Sequence, residues 1–292
     1  MDFSSIPGQI YLDNKFVKSK NAVIHVLTHS LHFAGSVFEG IGVYNGKPLL
    51  MREHYLRLLL SAKLIGIKPN KTLQQLEKIS FRLIKKNKIF NGYVRPIFFR
   101  SAHSMSPDTK NCKTRLAIAA WNWSKLYGDE GVKLNFSKWP KLNEKIFPIS
   151  AKSSASYQTS VMEKINSDKR GFHDSVTLDL NNGVAETTAC NIFWIKNNVI
   201  FTPQTHSILN GITRRVVIKL AKKLKLKIKE GNFKRKDLLN AENVFVTGTA
   251  TEIQPVKRIE KKNFKTTSKI LSILKFEYEK IKKRGPNLVS RI

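Results

Sequence analysis

The sequence has little that would cross-link the chain or anchor it in a membrane. It holds two cysteines, Cys112 and Cys190, which lie far apart without a Cys-x-x-Cys motif, and this argues against a disulfide framework or a zinc ribbon. Free thiols are typical of the reducing cytoplasm, where we expect this protein to reside. Apolar runs such as 116–121 are far shorter than the roughly 18 residues of a membrane-spanning helix. The first residues do not resemble a secretory signal.

Acidic residues are also scarce. The chain has 21 Asp and Glu against 52 Lys and Arg, which gives a formal net charge of +31. A polycation of this kind can bind nucleic acid by releasing counterions from phosphates. The basic residues, however, are spread over nearly every segment, and 224–229 alternates Leu or Ile with Lys, as in a strand with one face in water. We interpret the charge as a solvated surface and expect no specific nucleic-acid partner and no membrane partner, with a basic nucleic-acid-binding protein as the alternative from another class.

The length and composition favour a folded chain of two domains. A chain of 292 residues that is 41% hydrophobic can bury a sizeable core, and the length suits one large domain or two medium ones. Gly128 and Gly131 lie in a polar stretch that is typical of a linker. We therefore predict an N-terminal domain over 1–123, a linker over 124–131 and a C-terminal domain over 132–292.

Hydrophobic periodicity predicts helices and strands in both domains, so that the fold class is α/β in the broad sense and α+β in detail. A helix is predicted over 52–64 and a second one after the capping box Thr72-x-x-Gln75, with later helices over 213–223 and 267–283. Predicted strands include 41–44, 48–51, 93–100, 115–121, 174–180, 191–195, 199–202 and 243–247. A cleft between two such domains is where a ligand usually binds.

Two charged residues lie in unusual settings. Lys152 is surrounded by small residues, and burial would lower the pKa of its amine and make it a nucleophile. An ordinary loop lysine remains the simpler interpretation from the residues alone. Glu186 lies between two apolar strands, where a buried carboxylate needs a partner such as a protonated ring nitrogen. A turn acid capped by Thr187 or Thr188 is an equal alternative.

Three further places have groups that bind anions. Residues 211–213 open a helix, whose first N–H groups point outward. Residues 248–251 follow a buried strand and leave N–H groups at its end. Arg57 lies on a helix with no obvious acid nearby. Each of these signals alone is weak, because a Gly-Thr turn is more often only a turn.

Eight motifs bring these residues together in one pattern. They are HVLTHSLH at 25–32, SVFEGI at 36–41, REHYLRL at 52–58, YVRP at 93–96, AKSSASY at 151–157, VAETTACNIF at 184–193, LNGITR at 209–214 and TGTATEI at 247–253. Over about residues 8–260 the chain resembles the fold-type-IV pyridoxal-phosphate enzymes, and within them the branched-chain amino-acid aminotransferases. That resemblance implies a smaller N-terminal α+β domain and a larger C-terminal domain, with the cofactor in the cleft between them.

The resemblance implies a role for each candidate residue. Lys152 would bond covalently to the aldehyde carbon of pyridoxal 5′-phosphate, and Glu186 would keep its ring nitrogen protonated. The other expected cofactor-binding residues are Tyr157 at the phenolate oxygen, Leu209 against the ring, and Arg57, Ile212, Thr213 and Thr249 at the phosphate. The expected substrate-binding residues are Tyr93, Thr249 and Ala250 at the α-carboxylate, Arg95 at the distal carboxylate of glutamate, and Phe38, Tyr44 and Phe33 around the side chain.

The implied reaction is the transfer of an amino group from Leu, Ile or Val to 2-oxoglutarate by ping-pong kinetics. Its partners would be small amino acids and 2-oxo acids, and the protein would form a homodimer or a higher homo-oligomer. Gly42 stands where the family usually has Arg, and Phe33 stands where Tyr is common, so the preferred donor and its stereochemistry stay open. A D-amino-acid aminotransferase, an amine transaminase and an aminodeoxychorismate lyase of the same fold are the alternatives.

Overall fold

The computed structural model describes residues 2–123, 126–128 and 130–284. The chain divides into two compact units, Met1–Ser124 with Ala151–Ala155, and Lys125–Ser150 with Ser156–Ile292. Residues 151–155, which lie inside the predicted C-terminal domain, thus group with the first unit. Positions 124, 125 and 129 of the predicted linker lie outside the described residues. The domain boundaries at 123 and 132 stay a prediction.

The first unit contains seven strands and three α-helices within its described residues. The strands are β1 (Gln9–Leu12), β2 (Lys15–Lys18), β3 (Ser36–Phe38), β4 (Ile41–Tyr44), β5 (Lys47–Pro48), β6 (Gly92–Arg100) and β7 (Thr114–Asn122), and the helices are α1 (His29–Phe33), α2 (Met51–Leu64) and α3 (Leu73–Lys86). The predicted capping box is confirmed at α3, where the Thr72 side chain accepts from the Gln75 N–H and the Gln75 side chain accepts from the Thr72 N–H.

The strands of the first unit form one antiparallel sheet in the order β2-β1-β7-β6-β4-β5, with β3 also paired to β6. Buried and partly exposed residues alternate along β6, because successive side chains of a strand point to opposite faces. The buried face packs with α2 and α3 in a core that includes Val37, Ile41, Leu58, Phe98 and Ile118. The register places Tyr93 on β6 opposite Trp121 on β7.

The second unit contains nine strands and four α-helices within its described residues. The strands are β8 (Val132–Phe136), β9 (Asp174–Leu178), β10 (Val184–Thr187), β11 (Asn191–Lys196), β12 (Val199–Pro203), β13 (Lys227–Gly231), β14 (Asn243–Gly248), β15 (Glu252–Ile259) and β16 (Lys262–Asn263), and the helices are α4 (Gln158–Lys169), α5 (Ile212–Lys223), α6 (Arg235–Leu239) and α7 (Lys269–Arg284). The α+β class predicted from the sequence is confirmed.

The sheet of the second unit brings several loops to one edge. Its order is β10-β9-β8-β15-β14-β11-β12-β13, with β16 on β15. β12 and β13 are parallel and are joined through α5, so this helix begins after the carboxyl end of β12. Asn191 at the start of β11 pairs with Thr247 near the end of β14. The start of β11 therefore lies beside the turn that follows β14.

The ends of some predicted strands differ in the structure, as two of them illustrate. The segment 224–229 does not begin as a strand, because Lys225 has a φ of 56°. This left-handed residue follows the end of α5, and such a residue commonly terminates a helix, so that β13 begins only at Lys227. The predicted strand 48–51 ends at Pro48 because another left-handed residue follows it. Leu50, with a φ of 51°, starts α2 instead.

Candidate active site

Lys152 is fixed by its main chain in the first unit. The Phe38 N–H donates to the Lys152 carbonyl at 3.1 Å, and the Lys152 N–H donates to Ser61 Oγ of α2 at 2.9 Å. The next residue, Ser153, is buried and forms an isolated bridge with Val37 of β3. The bond to Phe38 and this bridge tie the segment to β3, and the bond to Ser61 ties it to α2. The side chain of Lys152 therefore starts from a well-defined backbone.

The amine of Lys152 lies in an environment that disfavours its charged form. Burial is the main cause that lowers its pKa from 10.5 to about 8, and the positive charge of Arg57 adds to the effect. The Nζ atom lies 5.1 Å from the centre of the Phe38 ring. A substantial fraction of such amines is neutral near physiological pH, and a neutral amine is a nucleophile.

Arg57 has an acidic partner that the sequence did not indicate. Its Nε and Nη2 atoms donate to the two oxygens of Glu39 at 2.5 and 2.9 Å. His54 Nδ1 lies 2.8 Å from Glu39 Oε2, and Glu39 itself is fully buried. The expectation that Arg57 faces no obvious acid was wrong, because the contact joins a helix to a loop across 18 positions. One available signal was the lone acid in the apolar run Val37 to Ile41.

The predicted substrate residues of β6 lie close to the loop that carries Glu39. The Arg95 guanidinium stacks 5.0 Å from the ring centre of Phe38 and 5.5 Å from that of Tyr93. A Cβ at Gly40 would lie only 1.7 Å from Tyr93 Oη, so this position needs glycine for the close approach. Arg95 Nε is buried and has no hydrogen-bond partner among the described residues. Such an atom is suited to receive an anionic ligand.

The two residues that depart from the family pattern lie in different elements, Phe33 at the end of α1 and Gly42 in β4. Phe33 ends α1, is 40% exposed and stacks on His29 at 4.7 Å. Gly42 lies in β4, where an added Cβ would meet the ring of Tyr44 at 2.9 Å. The Tyr44 ring therefore fills the space in which a longer side chain at position 42 would begin.

Glu186 is a buried residue of β10 in the second unit, and it has three hydrogen-bonding neighbours. Lys141 Nζ lies 2.8 Å from Oε1, Asn191 Nδ2 donates to Oε2 at 2.9 Å, and the Leu209 N–H lies 3.4 Å from Oε1. The alternative of a turn acid capped by a threonine was wrong, because position 186 lies within a strand and both Thr187 and Thr188 bond to Asp174 instead. A carboxylate has about four acceptor positions, so Oε2 can accept one more donor.

Lys141 is the partner of Glu186 that sequence reasoning missed. Burial by itself would lower the pKa of this amine, but Glu186 raises it overall, and Tyr157 acts in the same direction. The Lys141 N–H donates to the Leu178 carbonyl at 2.7 Å. Just before it, the N–H groups of residues 138 and 139 donate to the buried Glu163 at 2.8 Å each. One lysine in a lysine-rich chain gives no signal in the sequence, because only the fold reveals its burial.

The N-terminus of α5 offers N–H groups without partners inside the helix, close to Glu186. Gly211 is the N-cap residue and supplies no side-chain cap, so the first N–H groups of this 12-residue helix, including those of Ile212 and Thr213, are oriented for an anion. A Cβ at Gly211 would lie 2.1 Å from Asn191 Oδ1. Asn191 also donates to the Leu209 carbonyl at 2.9 Å, which ties the loop before the helix to Glu186.

The turn between β14 and β15 carries the remaining predicted residues. Thr249 and Ala250 are partly exposed there, and the Ala250 carbonyl accepts from the Leu126 N–H at 3.1 Å. Behind the turn, Thr251 Oγ1 lies 3.1 Å from the Sγ of Cys190, and burial raises the pKa of this thiol to about 12. The cysteine is therefore an inert packing residue of the turn.

The structure thus gathers the predicted residues into two groups. The first unit brings together Lys152, Arg57, Phe38, Tyr93 and Arg95, and the second brings together Glu186, Tyr157, Leu209 and the start of α5. Within the described residues, no cluster of His, Cys, Asp and Glu could hold a metal ion. None of the described helices has an apolar stretch of the length that a bilayer requires.

Known proteins with similar sequences point to one family. A family model described as amino-transferase class IV matches residues 36–259. A probable branched-chain-amino-acid aminotransferase of Rickettsia bellii is 36% identical over 275 residues, which cover 93% of this chain and 95% of that protein.

Two solved structures share the fold over nearly the whole chain. The branched-chain aminotransferase of Thermoproteus uzoniensis, crystallised with norvaline, has a TM-score of 0.90 at 31% identity over 94% of each chain. The branched-chain amino acid aminotransferase of T.th., crystallised with pyridoxamine 5′-phosphate, has a TM-score of 0.91 at 30% identity over 96% of each chain.

Proposed function

Because the chain belongs to the amino-transferase class IV family, we propose that it transfers the amino group of Leu, Ile and Val to 2-oxoglutarate with pyridoxal 5′-phosphate as cofactor. The observation that carries this proposal is the Lys152 amine, whose pKa is lowered to about 8 within a chain that matches the family over most of its length. The products are the corresponding 2-oxo acids and L-glutamate.

The residues present fit this cofactor by their chemistry. Lys152 supplies an amine for the aldehyde, and Arg57 supplies a guanidinium for the phosphate. The N-terminus of α5, where a Cβ at position 211 would not fit, supplies N–H groups for the same phosphate through Ile212 and Thr213, and we assign Thr249 to it as well. When bound, pyridoxal phosphate supplies an aldehyde that takes up the amino group and a ring that accepts the electrons released at Cα.

Lys152 has a second role once the substrate amine has taken its place. Its released amine is neutral in part near pH 8, so it can remove the proton from the substrate Cα as a general base. The ammonium so formed would then give the proton back as a general acid. A pKa near the working pH is what a group needs to act in both directions.

Glu186 acts at the opposite end of the ring in this proposal. Its Oε2 accepts from Asn191 and has capacity for one further donor, to which we assign the protonated ring nitrogen. Lys141 places a positive charge beside this carboxylate, since its amine lies 2.8 Å from Oε1. Tyr157 is assigned to the phenolate oxygen of the ring, and Leu209 packs against the ring.

The substrate assignments follow the contacts around β6. We assign the α-carboxylate to Tyr93 and to the turn at Thr249 and Ala250, and the distal carboxylate of glutamate to Arg95, whose Nε lacks a partner among the described residues. Phe38 and Tyr44 supply apolar surface for a branched side chain.

The proposed assembly is at least a homodimer. Large apolar residues between 23 and 33 are exposed, and the set is Val23, Ile24, Val26, Leu27, Leu31 and Phe33. A cavity of about 350 Å³, lined among others by Ile10, Ile24, Leu31 and Phe99, adjoins this stretch. Exposed apolar surface of this extent marks an interaction site, and we assign it to a second copy.

The free thiols Cys112 and Cys190 support a cytoplasmic location.

A panel of amino donors tests the proposed function. Purified protein with pyridoxal phosphate is incubated with 2-oxoglutarate and one L- or D-amino acid, and glutamate formation is measured. We expect L-Leu, L-Ile and L-Val to be the best donors. Activity with D-alanine alone would indicate the D-amino-acid alternative, and pyruvate release from aminodeoxychorismate without transamination would indicate the lyase.

A further inference from the structure

Glu39 is a buried acid to which the proposed function assigns no role. Its side chain is 0% exposed, and the carboxylate lies between three donors of the first unit. Arg57 donates from Nε to Oε1 at 2.5 Å and from Nη2 to Oε2 at 2.9 Å. His54 donates from Nδ1 to Oε2 at 2.8 Å, and the Gly40 N–H lies 3.2 Å from the same oxygen.

The pair between Glu39 and Arg57 has a fixed geometry. Two parallel N–H···O bonds, here called the fork, hold a planar guanidinium in one orientation. They form because two N–H groups on one edge of the guanidinium match the spacing of the two carboxylate oxygens. A single bond would leave the long arginine side chain free to rotate about it. The fork uses the Nε and Nη2 edge, and the plane of the guanidinium turns its other edge, with Nη1, away from Glu39.

Glu39 carries its negative charge at physiological pH. Burial alone would raise the pKa of Glu39, but the positive charge of Arg57 and the hydrogen bond from His54 bring it well below its ordinary value. Burial lowers the pKa of His54, which favours its neutral form, and a neutral imidazole donates to this carboxylate only with its proton on Nδ1.

We propose that Glu39 is a positioning residue, which holds the Arg57 guanidinium in the orientation in which it binds the phosphate group of the cofactor. This inference rests on the phosphate role that the proposed function gives to Arg57. Glu39 does not touch the phosphate, since two negative groups would repel each other. It acts through Arg57 alone, and His54 and the Gly40 N–H keep its carboxylate in place.

The test compares two ligands that differ only in the phosphate. Pyridoxamine 5′-phosphate and pyridoxamine both lack the aldehyde, so Lys152 forms no covalent bond with either, and their affinities for the apoprotein are measured by calorimetry. Glu39→Gln is expected to weaken binding of pyridoxamine 5′-phosphate by about tenfold or more, because one hydrogen bond of the fork is lost. Binding of pyridoxamine is expected to change less than about twofold.

Glu77→Gln is the matched control. Glu77 lies on α3 and forms a 4.0 Å pair with Arg52 of α2, where the Arg52 side chain is 60% exposed. The same charge is therefore removed from another arginine pair on the same helix as Arg57. Both affinities are expected to stay at the wild-type value.

A double variant shows whether Glu39 acts through Arg57. Arg57→Ala is expected to weaken pyridoxamine 5′-phosphate strongly, and adding Glu39→Gln to it is expected to cause no further loss, because neighbours in one network are not additive. Should Glu39→Gln fail to fold, Glu39→Asp keeps the charge but is too short for both bonds, and the same selective loss is expected.

Each contrary result has a separate meaning. Equal losses for both ligands, or unchanged or tighter binding of pyridoxamine 5′-phosphate in the Glu39 variants, would overturn the positioning role while leaving the proposed function intact. An unchanged affinity in Arg57→Ala would remove the phosphate role from Arg57 and overturn this inference together with that part of the proposed function.

Discussion

Lys152 of the first unit and Lys141 of the second are both withdrawn from water, yet the pKa values of their amines move in opposite directions. For Lys152, burial and the charge of Arg57 lower the pKa to about 8, although Glu39 acts against them. For Lys141, burial also favours the neutral form, but the carboxylate of Glu186 at 2.8 Å raises the pKa overall. Burial alone therefore does not decide whether a lysine becomes reactive.

The difference lies in the balance of charge within reach of each amine. Arg57 acts on both Glu39 and Lys152, and its fork engages both oxygens of that acid. Lys141 has an acid in direct contact. A lysine that shares its acid with an arginine is left as a weak base, whereas a lysine with its own acid keeps its proton. The first is suited to nucleophilic attack and the second to fixing a carboxylate.

The largest expected effect comes from removing the reactive lysine. Lys152→Ala is expected to lower the transamination rate by at least about 10³-fold, because both the covalent bond and the proton transfer are lost. The visible absorbance of the cofactor bonded to the lysine is expected to disappear. Glutamate formation and the absorbance spectrum are measured on the same sample, and a coloured, active variant would contradict the assignment.

Breaking the pair in the second unit is expected to cost stability. Lys141→Met leaves the buried Glu186 without a cation, and we expect the free energy of unfolding to fall by about 3 kcal/mol, as for other buried pairs that lose one partner. Lys164→Met is the control, because the pair of Lys164 with Asp168 is exposed at both ends. That variant is expected to stay within about 0.5 kcal/mol of the wild type. Urea unfolding of both proteins measures the difference, and equal values would refute the contrast.

The carboxylate itself is tested by a change of charge without a change of shape. Glu186→Gln is expected to lower the rate about 10²-fold while the cofactor stays bound, because a neutral amide no longer favours the protonated ring nitrogen. Rates are measured at saturating amino donor, and cofactor content is measured by absorbance after release. A wild-type rate would remove the role of Glu186 at the ring.

The pH dependence of stability gives a smaller effect that also tests the contrast between the two lysines. The amine of Lys152 has a pKa of about 8 in the folded protein and 10.5 as its ordinary value, so the unfolded chain binds more protons between these pH values. The lysine therefore destabilises the folded apoprotein fully below pH 8 and progressively less as the pH rises toward 10.5. Lys152→Met is expected to raise the melting temperature below pH 8. The gain should shrink across that window, and a gain independent of pH would contradict the lowered pKa.

Some of this site could be predicted from local sequence. Lys152 among small residues and Glu186 between apolar strands stand out because each departs from its surroundings, and the capping box at Thr72 is a local motif that the structure confirms. Gly211 at the start of α5 follows from the same kind of local rule.

The partners of these residues could not be predicted. Lys141 is joined to Glu186 across 45 positions, and its burial depends on how the loop before α4 folds onto Glu163. Glu39 and Arg57 meet because a loop passes beside α2. Such contacts are set by tertiary packing, which produces no periodic pattern in the sequence. The strand that was predicted to begin at 224 begins at Lys227 instead, because Lys225 adopts a left-handed conformation that its residue type does not indicate.

The most direct test of the central claim asks which lysine carries the cofactor. Holoenzyme is reduced with borohydride, which fixes pyridoxal phosphate to the amine that holds it, and is then digested for peptide mass spectrometry. The account predicts that the phosphopyridoxyl group is found on Lys152 and on no other lysine of this lysine-rich chain. A label on Lys141, or on any lysine other than Lys152, would contradict it.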